Sequence, residues 1–170
     1  MRLIVLNGPP AIGKSTLAER FAQAHPPTLN LDVDRVRSLV GGWRAQPKES
    51  GLAARALALA AARAHLTAGH DVIVPQLLAR PDFLLQLEEL AHDVGASFHE
   101  LVLWGTRENV LSRFASRTPG TQHHDTTAAD VAAFHDRLES LLADRPRARI
   151  ITTSAGHVDD AYRAVLAALD

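Results

Sequence analysis

Short apolar runs alternate along the chain with longer segments of helical periodicity. Leu3–Leu6 is a continuous apolar run of the length typical of a buried strand, and further short strands are predicted at Thr28–Leu31, Val72–Val74, Phe98–Trp104 and Arg149–Thr152. Helical spacing or propensity predicts helices at Lys14–Ala24, Leu52–Ala68, Pro81–Val94, Glu108–Arg117, Ala128–Ala143 and Val158–Leu169. Such alternation of strands and helices predicts an α/β fold, in which a parallel sheet lies between two layers of helices.

The composition narrows the class of protein. The 170 residues have no break in composition, so we expect one domain, 1–170. The absence of cysteine excludes disulfides, thiolate metal sites and a cysteine nucleophile. A net charge of −1 provides no basic surface for long nucleic acid. Because neither a leader pattern nor a membrane-spanning stretch is recognisable, we expect a cytoplasmic protein that does not bind membranes.

The strongest motif lies between the first predicted strand and the first predicted helix. The segment Gly8-Pro9-Pro10-Ala11-Ile12-Gly13-Lys14-Ser15 fits G-x-x-x-x-G-K-[ST] without a mismatch. Backbone N–H groups of such a loop bind phosphates, the lysine adds a cation, and the serine hydroxyl is offered to Mg²⁺. The alternative is a chance glycine-rich turn. The candidate nucleotide-binding residues are Gly8, Pro9, Pro10, Ala11, Ile12, Gly13, Lys14, Ser15 and Thr16, with Ser15 as metal ligand.

This loop, together with an Asp after the second strand and paired arginines late in the chain, resembles the small P-loop kinases. The pattern is most similar to the group that contains chloramphenicol phosphotransferase, the zeta toxins and the tunicamycin-resistance proteins. The resemblance implies a three-layer α/β/α fold whose five parallel strands have the order 2-3-1-4-5, with a small lid at about residues 113–128. It also implies Mg²⁺-dependent transfer of the γ-phosphate of ATP to a hydroxyl group.

Carboxylates follow the second predicted strand, where open α/β sheets build their sites. By resemblance Asp34 is the catalytic base and Lys14 a catalytic cation; the alternative for Asp34 is a helix N-cap. Asp32 is the second candidate for the base, or a ligand of a Mg²⁺-bound water. Arg37 either binds a substrate anion or lies on a solvated helix face, and Trp43 either stacks on an acceptor or packs internally.

The third predicted strand departs from many P-loop proteins. It reads Asp71-Val72-Ile73-Val74-Pro75-Gln76, with no acid at its end. Gln76 could orient a water or an acceptor group, or simply form part of a turn. Arg80, which follows this strand, could line the acceptor pocket or be a plain surface residue.

Two arginines are expected to act from the lid. Arg113 and Arg117 are four residues apart and share one helix face. By resemblance they stabilise the negative charge of the transition state; the alternative is a solvated basic face. In the following loop, His123, His124 and Asp125 fit a polar lid better than a metal site, because adjacent histidines point apart.

The sequence therefore predicts an ATP-dependent phosphotransferase with ATP and Mg²⁺ as cofactors. Its partner would be a small molecule with a hydroxyl group, such as an antibiotic, a nucleotide-sugar or a metabolite. One alternative is a polynucleotide 5′-hydroxyl kinase, which the near-neutral charge disfavours. Another is a nucleotide-binding regulator without acceptor chemistry. Neither the acceptor nor the oligomeric state follows from the residues.

Overall fold

A five-stranded parallel sheet forms the centre of the computed structural model, which describes residues 1–116, 126–153 and 157–170. The strands are β1 (Arg2–Asn7), β2 (Leu29–Asn30), β3 (Val72–Pro75), β4 (Ser97–Trp104) and β5 (Arg149–Thr152). Their order is β2-β3-β1-β4-β5, and every pairing is parallel. The predicted α/β class and the strand order 2-3-1-4-5 are confirmed. Because β1 is central, the segment that follows it emerges in the middle of the carboxyl edge.

Seven helices lie in the described part of the chain. They are α1 (Lys14–Ala24), α2 (Val33–Ser38), α3 (Pro47–Thr67), α4 (Pro81–Asp93), α5 (Arg107–Ala115), α6 (Ala128–Ala143) and α7 (Val158–Ala167). Gly69 and Gly95 follow α3 and α4 with φ of +88° and +69°, the left-handed conformation that ends a helix at little cost for glycine. None of the helices in the described ranges is long and apolar enough to cross a membrane.

The two faces of the sheet carry separate hydrophobic clusters. Alternate residues of β1 point to opposite faces, so Leu3 and Val5 belong to one cluster and Ile4 and Leu6 to the other. The first cluster contains buried side chains of α3 and α4, whereas the second contains those of α1 and α7. Helices therefore cover both faces, as the continuous apolar strands predict.

The region around β2 and the start of α3 differ most from the predictions made from sequence. Strand β2 is shorter than Thr28–Leu31, and a short helix, α2, directly follows it. The Asp32 side chain caps α2, so a segment without a long apolar pattern still becomes helical. Helix α3 begins at Pro47 rather than at Leu52, because proline is well suited to the first helical turn and Ser50 is buried against the preceding loop.

Candidate nucleotide and acceptor site

The loop from Gly8 to Gly13 joins β1 to α1. Gly8 has a φ of +146°, and a Cβ atom there would lie 2.6 Å from the backbone oxygen of Leu103, so only glycine fits. Gly13 precedes α1 with a φ of +107°, and no side chain caps that helix. The first N–H groups of α1 are therefore open to the cleft in front of the loop. Uncapped N–H groups at a helix N-terminus favour phosphate binding, so the residues fit the triphosphate of a nucleotide.

Lys14 folds back over the loop. Its Nζ donates hydrogen bonds to the backbone oxygens of Gly8 and Pro9, at 2.8 and 2.9 Å. Ala11 has a φ of +63°, an unusual conformation for a residue with a Cβ atom. Strained backbone of this kind is common where a loop is shaped around a ligand.

A cleft of about 460 Å³ lies on one side of the loop and brings together most of the predicted site residues. Lys14, Ser15 and Thr16 line it from the start of α1, and Asp32 and Asp34 line it from the region of α2. Its remaining lining residues are Pro10, Ala11, Gly13, Pro75, Gln76, Leu77, Thr126 and Phe134. A phosphate-binding loop and carboxylates thus face the same space.

The two carboxylates of this cleft have different surroundings. Asp32 is buried, and its Oδ1 accepts hydrogen bonds from the backbone N–H groups of Asp34 and Arg35, at 3.0 and 3.3 Å. Asp32 is therefore the helix N-cap, the role that the sequence offered as the alternative for Asp34. Within the described ranges, no group donates a hydrogen bond to the Asp34 carboxylate and no cation pairs with it. Of the two, Asp34 has the carboxylate that is not committed to the fold.

Gln76 stands where many P-loop proteins have an acid. Its backbone N–H donates to the oxygen of Leu6 at 3.3 Å, while its side-chain Oε1 is buried without a hydrogen-bond partner. A buried, unpaired amide oxygen costs about 1–3 kcal/mol, so a partner in the cleft would relieve this cost. Gln76 is therefore not simply a turn residue whose polar side-chain atoms all have hydrogen-bond partners.

The cleft offers oxygen atoms, the ligand type that Mg²⁺ prefers, although only a few side chains supply them. The oxygens of Ser15, Asp32 and Asp34 line one cleft, and hard cations prefer oxygen ligands. Among residues 1–116, 126–153 and 157–170, no group of three or more His, Cys, Asp or Glu side chains could hold a metal alone. Nucleotide phosphates and waters would therefore have to complete the coordination, which is the usual arrangement for Mg²⁺ at nucleotide sites.

A second cleft, of about 330 Å³, lies on the other side of the loop. Leu17, Val158 and Ala161 give it apolar walls, and Arg113 and Thr153 add polar groups. The Arg113 guanidinium donates to the backbone oxygen of Ile12 at 3.3 Å and to Oγ1 of Thr153 at 3.5 Å. Arg113 thus contacts the loop from the second cleft, whereas Asp34 lines the first. An apolar slot with a few polar groups suits a nucleotide base.

Two further predicted residues lie outside both clefts. The Arg37 guanidinium donates to Oγ of Ser50 at 3.0 Å and to the backbone oxygen of Pro47 at 3.1 Å, which ties α2 to α3. Its guanidinium also lies 5.4 Å from the ring centre of Trp43, so the arginine packs on that residue. Arg80 lines a separate small pocket. Arg117, His123, His124 and Asp125 lie outside the described residues, as does most of the predicted lid at 113–128.

Three residues of the site were not among those predicted from the sequence. Asn7 is fully buried at the end of β1, and its side chain binds the phosphate loop and the segment after β3 together. A buried asparagine directly before the motif was the available signal for it. Phe134 and Thr126 come from the region of α6, more than 100 residues after the motif. Their position depends on how α6 packs, which no local pattern reports.

A model of an AAA domain family matches residues 3–141 of the 170. The chain belongs to this AAA domain family. The resemblance to small P-loop kinases is thereby confirmed, since the match includes the phosphate loop and four of the five strands. No curated protein matches this AAA domain chain significantly by sequence.

Solved structures show the same fold. A gluconokinase from Sinorhizobium meliloti 1021 is 20% identical with a TM-score of 0.68, over 98% of this chain and 90% of its own. The tunicamycin resistance protein of Deinococcus radiodurans is 21% identical with a TM-score of 0.71, over 99% and 95%. The APS kinase of Mycobacterium tuberculosis is 15% identical with a TM-score of 0.58, over 99% and 96%. At such identities the likeness establishes that this AAA domain shares their architecture.

Proposed function

We propose that the protein is an ATP-dependent phosphotransferase whose acceptor is a hydroxyl group of a small molecule. The observation that carries this proposal is the shared cleft, in which the phosphate loop and the uncommitted carboxylate of Asp34 face the same space. A nucleotide-binding loop alone would serve a switch or a hydrolase equally well. A carboxylate beside it supplies the group that an acceptor hydroxyl needs.

In the proposed reaction the loop N–H groups and Lys14 hold the β- and γ-phosphates. The acceptor oxygen forms a bond to the γ-phosphorus while the bond from that phosphorus to the β–γ bridging oxygen breaks. The electron pair leaves with ADP, and the hydroxyl proton passes to the Asp34 carboxylate. The Asp34 carboxylate is available to the acceptor because Asp32, and not Asp34, caps α2, and the start of that helix holds Asp34 in position.

Mg²⁺ would be held by Ser15 and Asp32, which leaves the Asp34 carboxylate for the acceptor, and when bound it would neutralise charge on the phosphate oxygens. The base of the nucleotide is assigned to the second cleft, where Arg113 can reach the phosphates from the side opposite to Asp34. Arg117 stays a proposed lid residue, expected to stabilise charge in the transition state.

The test is ADP release from Mg·ATP in the presence of hydroxyl-bearing antibiotics, nucleosides, nucleotide-sugars, sugar acids and a 5′-hydroxyl oligonucleotide. One small-molecule acceptor should raise turnover well above the rate with ATP alone. Lys14→Ala should abolish this turnover, whereas Lys48→Ala removes the only other lysine, far along the chain on α3, and should have no effect. ATP binding without stimulation by any acceptor would indicate a regulatory module instead.

The role of Asp34 has its own test. Asp34→Asn should lower turnover at least a hundredfold while nucleotide affinity changes less than twofold, because the lost group acts on the acceptor proton. Asp144→Asn, an exposed position at the end of α6, is the matched control and should retain full turnover. Unchanged turnover in Asp34→Asn would move the base to Asp32.

A further inference from the structure

A third, smaller pocket of about 200 Å³ adjoins the acceptor side of the main cleft. Leu77 and Phe134 line both cavities, so the small pocket is an extension of the cleft in which Asp34 lies. It lies on the side away from the phosphate loop, because neither Lys14 nor the loop residues line it. A ligand with its hydroxyl near Asp34 could therefore extend into this pocket.

Three arginines from three separate elements line the small pocket. Arg55 comes from α3, Arg80 directly precedes α4, and Arg137 comes from α6. The Arg55 guanidinium lies 5.6 Å from the ring centre of Phe83, and that of Arg137 lies 6.0 Å from the ring centre of Phe134. Two of the guanidinium groups are thus in contact with rings that also line the pocket.

In the described part of the chain these three arginines have no hydrogen-bonded carboxylate partner, although the charge of Arg137 contributes to lowering the pKa of the exposed Asp130 carboxyl. Among the described residues none of them forms an ion pair or donates a hydrogen bond, whereas Arg2 and Arg145 bind carboxylates elsewhere in the fold. Asp82 is the single carboxylate in the described lining of the pocket, which leaves an excess of two positive charges there. The first turn of α4, which no side chain caps, adds to the positive potential.

Like charges on separate elements repel each other, and a guanidinium fork binds phosphate or carboxylate oxygens in a bidentate manner. An anion bound between the arginines would relieve this repulsion, and its oxygens would accept hydrogen bonds from the guanidinium N–H groups. We propose that this arginine pocket, formed by Arg55, Arg80 and Arg137, is a subsite for a phosphate or carboxylate group of the acceptor. The substrate class is then an anionic alcohol, with its hydroxyl near Asp34. This inference rests on the proposed function for the identity of the acceptor, but the anion site itself does not.

The first experiment tests the anion site without any turnover. Inorganic phosphate and acetate are titrated separately, by nuclear magnetic resonance, onto protein whose phosphate loop is saturated with Mg²⁺ and a nonhydrolysable ATP analogue. At least one of the two should bind, and the triple variant R55Q/R80Q/R137Q should weaken that binding at least tenfold. Whichever probe binds identifies the anionic group. Absence of binding for both probes in the wild-type protein would overturn the proposal.

A matched variant separates local contacts from net charge. R63Q/R147Q/R163Q removes the same number of charges from exposed positions outside the pockets and should bind the probe as the wild-type protein does. Equal weakening in both triple variants would overturn the subsite, because it would show only a long-range effect. The single variant Arg80→Gln, which changes one exposed side chain, should retain the fold and give a smaller loss in the same direction.

The second experiment compares acceptors in pairs, each a neutral polyol and its phosphorylated or carboxylated counterpart, by ADP release from Mg·ATP. The anionic member should be preferred at least tenfold in kcat/KM, and the triple variant should remove the preference. Turnover with the neutral members alone would overturn the subsite while the phosphotransferase proposal stands. If no acceptor is phosphorylated, the phosphotransferase proposal fails, and the probe titration alone decides the anion site.

Discussion

The side chain of Asn7 joins the phosphate loop to the segment after β3, at Leu78. Its Oδ1 accepts hydrogen bonds from the N–H of Gly8 at 2.8 Å and from the N–H of Leu78 at 2.9 Å. Its Nδ2 donates to the backbone oxygen of Leu78 at 3.0 Å. Asn7→Ala would leave two N–H groups and one carbonyl without their partner, in a place where the asparagine itself is fully buried.

The magnitude follows from these three groups. An unpaired buried polar group costs about 1–3 kcal/mol, so three of them set a range of about 3–9 kcal/mol. Water can enter the space that the amide leaves and bind some of these groups, which moves the expectation to the lower end, about 3–4 kcal/mol. Whole domains are stable by about 5–15 kcal/mol, so Asn7→Ala removes a large part of the stability.

Urea denaturation followed by circular dichroism measures this loss. With a slope of about 2 kcal/mol per molar urea, the midpoint of Asn7→Ala should fall by about 1.5–2 M. Asn30→Ala is the matched control, because Oδ1 of Asn30 is buried without a hydrogen-bond partner and its removal breaks no such bond. A loss below 1 kcal/mol for Asn7→Ala, or equal losses in the two variants, would refute the reasoning.

Three further predictions concern backbone, charge and nucleotide. Gly8→Ala should lower the free energy of unfolding by about 2–4 kcal/mol, because the new Cβ would meet the Leu103 backbone. Gly95→Ala, which has open space around it, should lower it by only about 1 kcal/mol. Equal losses in the two variants would contradict this prediction. Burial alone would raise the pKa of Asp71, but hydrogen bonds from the Arg2 side chain and N–H hold that pKa below its usual value. The ionised Asp71 therefore stabilises the folded protein above about pH 4, and this contribution is lost as the pH falls further. Urea titrations from pH 7 to 3 should therefore show a shallower acid loss for Asp71→Asn than for the wild-type protein, and parallel curves would contradict it. Arg113→Ala should weaken binding of a fluorescent ATP analogue about tenfold, since its guanidinium lies in the second cleft, while the surface variant Arg107→Ala should not.

The parts of the fold that were predictable are those that local chemistry specifies. Continuous apolar strands and capped helices between them establish a parallel sheet with helices on both faces, and the family resemblance supplied the strand order. Helix α2 was missed because six residues have too short a pattern, and a helix cap was considered only as the alternative role of Asp34, whereas Asp32 is the cap. The N-terminal turn of α3 was missed because Pro47, Lys48 and Ser50 have no apolar periodicity, although proline at the first helical position was a local signal for the helix start.

One part of the candidate site could also be predicted from local sequence, and another part could not. The phosphate loop was predictable because backbone N–H groups do the binding, and a short motif is enough to shape the backbone. The acceptor side was not, because its lining is assembled from side chains of distant elements. Arg37 is an example. An arginine at this position suited the binding of a substrate anion, yet its guanidinium donates hydrogen bonds to Ser50 and to the backbone oxygen of Pro47. Arg80 has no such internal partner among the described residues and lines the arginine pocket.

The segment after β3 is held in place by its backbone, whereas the arginine pocket depends on side chains alone. Asn7 anchors the segment after β3 to the phosphate loop through backbone groups of Leu78, so that segment is held whatever side chains it carries. The three arginines of the pocket beside it are exposed side chains that contribute no hydrogen bond or ion pair in the described structure. Replacing them therefore costs little stability, since surface substitutions are usually within about 0.5 kcal/mol. For the proposed reaction we therefore expect acceptor preference to change with Arg55, Arg80 and Arg137 while the nucleotide half stays intact, because the buried Asn7 side chain, which joins the two halves, lies outside the pocket.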